Sequence, residues 1–429
     1  MQTNKRKFEY KWVIFAVCFM MVFFCLGFCC GNKGMYLKAM TSALDMKRSI
    51  FSINDSIRYV ATALCNLFFG SLIARFGARK LVAFGFVSLI LSMVSYILAE
   101  GVVLVYVGGL FLGIGMTFTT NTMASYIIKR WFKQNIGVYL GFVFAANGVG
   151  SLIAVDIISP IINDENNAFG YRNSYTMMAI ILFIVGIIVV SLLREQPKGY
   201  VADTTPKKKK ARKCSWSGIE LSSAKKMPAF FIICGIVFLT GFVLQAICGV
   251  YYAHLRDVGI DETFANRVTK IYLLTLIASK FINGIAYDKF GLRAVVTACH
   301  IATVVSFLIL IFVSPTATGK ILSVAFGIFF ALALPLETII IPLIVDEVFG
   351  DISYDKILGI MMAMNYSGYA IGTPVVNLCY DLTGSYSFVF LIFIAVMVVC
   401  SVAFNIILSV FKKKRNDIIA NAQIEETAL

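Results

Sequence analysis

The chain has 429 residues, 59% of them apolar and 14% charged, and its mean hydropathy is +0.84, which is too oily for a water-soluble globule of this length. A net charge of +15 would fit a nucleic-acid partner, but the basic residues stand at the ends of apolar stretches and not on a soluble module, so no nucleic acid is expected. The 11 cysteines lie nearly all within those stretches as small packing residues, histidine occurs twice, and no metal-ligand spacing is present; no metal, no cofactor and no enzymatic activity are expected.

A bilayer is the solvent such a composition requires. Its hydrocarbon core takes about 20 mostly apolar residues to cross. Stretches of that kind are predicted at 11–31, 51–74, 78–98, 101–127, 135–160, 172–193, 228–252, 265–287, 292–314, 320–345, 356–379 and 384–411. Backbone groups in lipid must be satisfied within the segment, and strand-like alternation is absent, so the twelve are predicted as transmembrane helices of an all-α membrane protein. The first is full length without a small-residue cleavage site and reads as a retained helix rather than a signal peptide.

The polar stretch 194–227, with Pro197, Pro206 and a lysine run at 207–210, divides the chain into 1–193 and 228–411, six spans each, followed by a tail at 412–429. Basic residues gather in this stretch and in the loops on the same side, which places both termini in the cytoplasm of a multi-pass cell-membrane protein. The lysine run reads as a topology anchor for anionic lipid. The loops after the second and eighth spans repeat one pattern, Gly70-Ser-Leu-Ile-Ala-Arg75-Phe-Gly77-Ala-Arg79-Lys80 and Gly284-Ile-Ala-Tyr-Asp288-Lys289-Phe-Gly291-Leu-Arg293, half the chain apart. Each has a glycine for close helix packing, a second for a tight turn, and basic residues on the inner face. Two parallel halves are a transporter architecture.

This pattern resembles the loop signature of the major facilitator superfamily, present in both halves as that family often has it. The second copy is intact, whereas Ala74 replaces the family's aspartate in the first. A finer resemblance is to the branch of the oxalate:formate antiporters and monocarboxylate porters. It rests on Asn121 to Trp131-Phe132 ahead of a basic loop, the glycine-rich 137–150, the turn Phe169-Gly-Tyr-Arg, the exit Leu193-Arg-Glu-Gln-Pro197, and Gly372-Thr-Pro374 followed by Tyr380-Asp381-Leu-Thr-Gly384. The resemblance implies alternating access by a monomeric functional unit, with the two loops, including Arg75 and Lys289, in gating.

Lys280 is the charge that most needs a reason, since a cation at mid-bilayer costs roughly 2.5–3.5 kcal/mol on insertion scales. Tyr272, Thr275, Ser279 and Asn283 recur beside it at helical spacing, which points to a substrate-anion site; a lysine snorkelling to the inner interface, or a structural ion pair, is the alternative. The resemblance adds that Lys280 stands eight residues before Asp288, where oxalate and monocarboxylate porters carry a substrate-binding arginine. A point charge replaces the bidentate fork. The helix 11 cation of oxalate-type porters falls near Ser367, and the acid of monocarboxylate porters falls at Leu276, so neither mechanism is copied closely.

Lys33, past the outer end of the first span, matches in place an outer-cavity lysine of the monocarboxylate porters, or is a plain loop lysine. With Lys38, Lys47, Arg48 and Arg58 it makes the outer side positive, a field that concentrates anions. Glu337, between Pro335 and Pro342, is the best intramembrane acid for carrying a proton or for pairing a cation; Asp156, near the outer end of the fifth span, is weaker. Thr62 and Asn66, Thr117, Asn121 and Ser125, and Tyr366, Tyr369, Thr373 and Asn377 form further polar stripes, against which stands the habit of membrane hydroxyls of bonding their own backbone. The expected function is secondary transport of a small organic anion, a monocarboxylate first, by proton coupling or exchange; the alternative is a proton-coupled exporter of drugs or other apolar compounds.

Overall fold

The computed structural model describes residues 10–29, 36, 39–41, 43–46, 48–132, 134–162, 170–195 and 218–427, and every regular element among them is a helix. Two compact units emerge: Met1–Asn66, Ser71–Tyr200 and Lys280–Asp288 form the first, and Leu67–Gly70, Val201–Ser279 and Lys289–Leu429 the second. The elements in chain order are α1 (Lys11–Met21, prolonged as a π-helix over Val22–Phe28), α2 (Arg48–Leu67), α3 (Phe69–Phe76), α4 (Ala78–Ile97), α5 (Val102–Thr119), α6 (Asn121–Trp131), α7 (Ile136–Ile162) and α8 (Gly170–Leu192). There follow the short α9 (Leu221–Ala224), then α10 (Pro228–Asp257), α11 (Glu262–Phe290), α12 (Leu292–Ile311), α13 (Ala317–Ala333), α14 (Ile340–Ile344), α15 (Tyr354–Thr383) and α16 (Ser387–Thr427).

Ten helical stretches among the described residues are long and apolar enough to cross a membrane, and Ile53–Leu67 with Phe69–Phe76, bent by 60°, makes an eleventh. The remaining predicted span is α15, 30 residues long and not apolar enough to join them. Three spans are less regular than the sequence indicates. The fourth breaks at Thr120, next to Thr119 and Thr120 hydroxyls that return to carbonyls one turn back, a contact that bends helices. The tenth breaks into a 3₁₀ segment, Leu334–Glu337, where Pro335 cannot donate into the ladder. The last runs on as helix to Thr427, so the 412–429 segment begins as a continuation of the twelfth span.

The same packing order recurs inside each unit. In the first, the π-turn after α1 lies against α7, and α4 lies against α5 and α8; in the second, α10 lies against α15, and α12 against α13 and α16. Side-chain hydroxyls and amides bond backbone along these seams, as lipid-embedded helices require. The Thr62 hydroxyl donates to the Gly113 carbonyl at 3.0 Å and that of Thr122 to Asn66 Oδ1 at 2.9 Å, so the stripes of the second and fourth spans join the two helices.

The loop repeat is most visible in its second glycine. Gly77 (φ 76°, ψ 158°) and Gly291 (φ 82°, ψ 172°) precede α4 and α12 in one and the same backbone conformation, a region open almost only to glycine. Gly77→Ala and Gly291→Ala are each expected to cost about 1–3 kcal/mol of stability. Thermal unfolding of the purified protein should show both losses, with Gly101→Ala, at an extended φ of −168° and with open space around it, as the silent control.

Candidate functional site

Lys280 sits in α11 at 3% exposure, and its ammonium donates to the Phe144 carbonyl of α7 at 3.0 Å. Both residues belong to the first unit. The close approach that permits this bond comes from glycine: a Cβ on Gly141 would lie 2.7 Å from the Lys280 carbonyl, and one on Gly284 would strike the Gly137 carbonyl. The side chain therefore turns inward to α7 and does not snorkel. One turn beyond Gly284, Asp288 Oδ2 accepts the Val138 amide of the first turn of α7 at 2.9 Å, where an unpaired N–H and the helix dipole favour a carboxylate.

The polar stripe predicted beside Lys280 divides. Asn283 is buried in the first unit, but the Ser279 hydroxyl bonds its own helix at Leu276. Tyr272, two turns before Lys280 and about 12 Å away along the helix axis, belongs to the second unit. There it meets the Cys248 thiol at 3.6 Å and stacks on Phe330 with ring centroids 5.8 Å apart. Glu337, at 9% exposure, is near enough for its charge to act on both Cys248 and Tyr272. The structure thus unites Tyr272 and Glu337, two residues to which the sequence gives separate tasks.

Asn365 is the unforeseen member of this cluster. Its amide donates to the Glu337 carbonyl at 3.3 Å, satisfying a backbone group that the 3₁₀ break releases. Its neighbour Tyr366, predicted for substrate, is half-buried and packs edge-on against Tyr369. The signal that could have found Asn365 is a lone amide following the largely apolar run 357–364.

Asn121, the first residue of α6 after the break, is buried, and its carbonyl accepts from Ser125. Asp156 is exposed. Lys33, Lys38 and Lys47 lie outside the described residues. Arg58 does not join the outer field: it is buried in α2, 3.2 Å from Asp55, with its guanidinium over Tyr59.

The gating residues form two anchored corners. Arg79 Nε donates to the Val190 carbonyl of α8 at 2.7 Å, and Arg293 Nε to Asn405 Oδ1 of α16 at 2.8 Å, so each loop arginine grips the last helix of its own half. Arg75 and Lys289 are exposed and lie over the next ring, Phe76 or Phe290. Gly70 packs on the first turn of α15, its Cβ position 2.7 Å from the Lys356 amide nitrogen. Glu195 accepts the Ala78 amide at the start of α4 (3.3 Å), the Tyr126 hydroxyl (2.7 Å) and Arg130 (3.2 Å). In the sequence, Glu195 stands out only as part of the exit motif.

The Major Facilitator Superfamily profile matches residues 17–255 and 233–426, and the chain belongs to that family of membrane transporters. An uncharacterised MFS-type transporter of Bacillus subtilis (strain 168), YcxA, is 26% identical over 263 residues, 61% of either chain, so the match spans less than two thirds of that relative. Among solved structures, the E. coli fucose:proton symporter FucP aligns with a TM-score of 0.69 at 14% identity, covering 93% of this chain and 99% of its own. The proton:xylose symporter XylE, bound to 6-bromo-6-deoxy-D-glucose, aligns at 0.71 and 13%, covering 92% and 94%. At such identities the likeness is one of fold.

Two measurements follow from the corners and loops. Glu195→Ala should lower stability by about 1 kcal/mol, the three bonds being discounted for partial exposure, and Arg130→Gln by less, both read as thermal shifts. In the loop before α11, Asp261 pairs with Lys320 at 2.9 Å and accepts the Phe264 amide, and these hold its carboxyl below the ordinary 3.8. A lowered folded value stabilises above the unfolded value and is lost as pH falls through the folded one. The small destabilisation by Lys320→Gln should therefore be seen at neutral pH and vanish in acid below that ordinary value.

Proposed function

We propose that the protein is a secondary active transporter of a small organic monoanion, a monocarboxylate before any other, with Lys280 as the cation that meets it. The observation that carries this reading is a lysine held at 3% exposure in a membrane-spanning helix by a neutral carbonyl acceptor. An ammonium has three N–H donors, so the bond to Phe144 is compatible with a second, anionic acceptor. The resemblance to the oxalate and monocarboxylate porters supports the same position. Residues 1–193 and 228–411 rock about the site, the two glycine loops control the inner gate, and both termini face the cytoplasm. Glu337, beside Tyr272 and Cys248, is the group that carries a proton if transport is coupled.

A second reading has its own observation. The rings of Tyr251, Tyr272 and Phe330 form a buried aromatic cluster next to Glu337, a kind of side chain that packs on the apolar face of a sugar ring, and the two structural neighbours are named as fucose and xylose symporters. Uptake of labelled lactate, pyruvate, formate, oxalate, fucose and xylose into proteoliposomes, with a pH gradient of either sign, separates them. The anion reading expects carboxylate flux that falls at least tenfold in Lys280→Ala and survives in Lys280→Arg. Sugar flux indifferent to Lys280 would establish the second reading instead, and resistance to toxic compounds on overexpression, again indifferent to Lys280, an exporter.

A further inference from the structure

His300 lies in the middle of α12 at 2% exposure, and among the described residues neither ring nitrogen makes a hydrogen bond. The Val296 carbonyl one turn earlier is near the ring without the geometry of a bond. A neutral imidazole carries one donor and one acceptor, and a buried group left unsatisfied is destabilising, so a partner is called for. The ring faces a cavity inside the second unit, bounded by Ile236, Val237 and Thr240 of α10, Leu336 within the 3₁₀ segment, Ile341 of α14, and Phe404 of α16. Its volume of about 10 Å³ matches one water. Among the described residues, Thr240 brings the one side-chain hydroxyl of the lining, at 5% exposure.

We propose that this cavity is a hydration site, in which one water is held between the His300 imidazole and the Thr240 hydroxyl directly under the break in the tenth span. Two polar partners are the minimum that keeps a buried water in place, and an all-apolar cavity of this size would stay dry. The location gives the water a task. Leu336 lies within the segment that ends in Glu337 and Ile341 just beyond it, and a water beneath a broken helix offers backbone groups an alternative partner as the break tightens or opens. The site is independent of which solute is carried.

The chain has only two histidines, so solid-state NMR of the full protein in bilayers, labelled with ¹⁵N-histidine, can test it. His254 is assigned by its loss in His254→Gln. The expected result is a cross-peak between bound water and the His300 ring that persists in Thr240→Ser and disappears in Thr240→Val. Its absence from the unsubstituted protein, or its survival in Thr240→Val, overturns the site. For the hinge role, His300→Phe, which fills the cavity with a dry ring of similar shape, should retain the melting temperature yet slow turnover about threefold to tenfold. Unchanged turnover in that variant would overturn the hinge role while leaving the water assigned.

Discussion

A backbone amide or carbonyl that loses its helical partner inside lipid has no water to turn to, and much of this protein's polar chemistry is a response to that constraint. Asn365 serves the carbonyl released at the 3₁₀ break, while at helix ends open to water Asp288 takes an amide at the start of α7 and Glu195 the one at the start of α4. Even Lys280, the residue with the strongest claim on a substrate, rests on a main-chain oxygen. Polar residues that in a soluble enzyme would be weighed for catalysis must first be weighed here as partners of broken helices. Those that also lie near a second polar group, as Glu337 does with Tyr272 and Cys248, are the ones with something left for transport.

The architecture was largely legible because apolar length is a strong signal and a duplicated loop marks where it repeats. Gly77 and Gly291 show why the repeat could be read: each is a position that only glycine fills at low cost, so residue type reports backbone shape directly. The site was legible only in part. Helical spacing places Tyr272 and Lys280 on one helix, about 80° apart around it, but cannot say that Tyr272 faces α10 and α13 while Lys280 faces α7. Arg58 illustrates the same limit, since a charge counted toward an outer field proves to be turned inward onto Asp55.

Helix α11 is the element that both compact units share. Its first part packs among α10 and α13, and its last two turns among the residues of α7. Aromatic faces and an acid lie at the level of Tyr272, while main-chain oxygens and glycine backbone lie at the level of Lys280.

In the second copy the loop carboxylate, Asp288, takes an amide at the start of α7; beside the first copy, Glu195 takes the amide at the start of α4 and stands at the threshold of the long basic segment that joins the halves. The amino end of α4 is therefore tethered to the start of that segment. Two corners built to the same backbone plan thus differ in where the carboxylate beside each one reaches, α4 for one and α7 for the other.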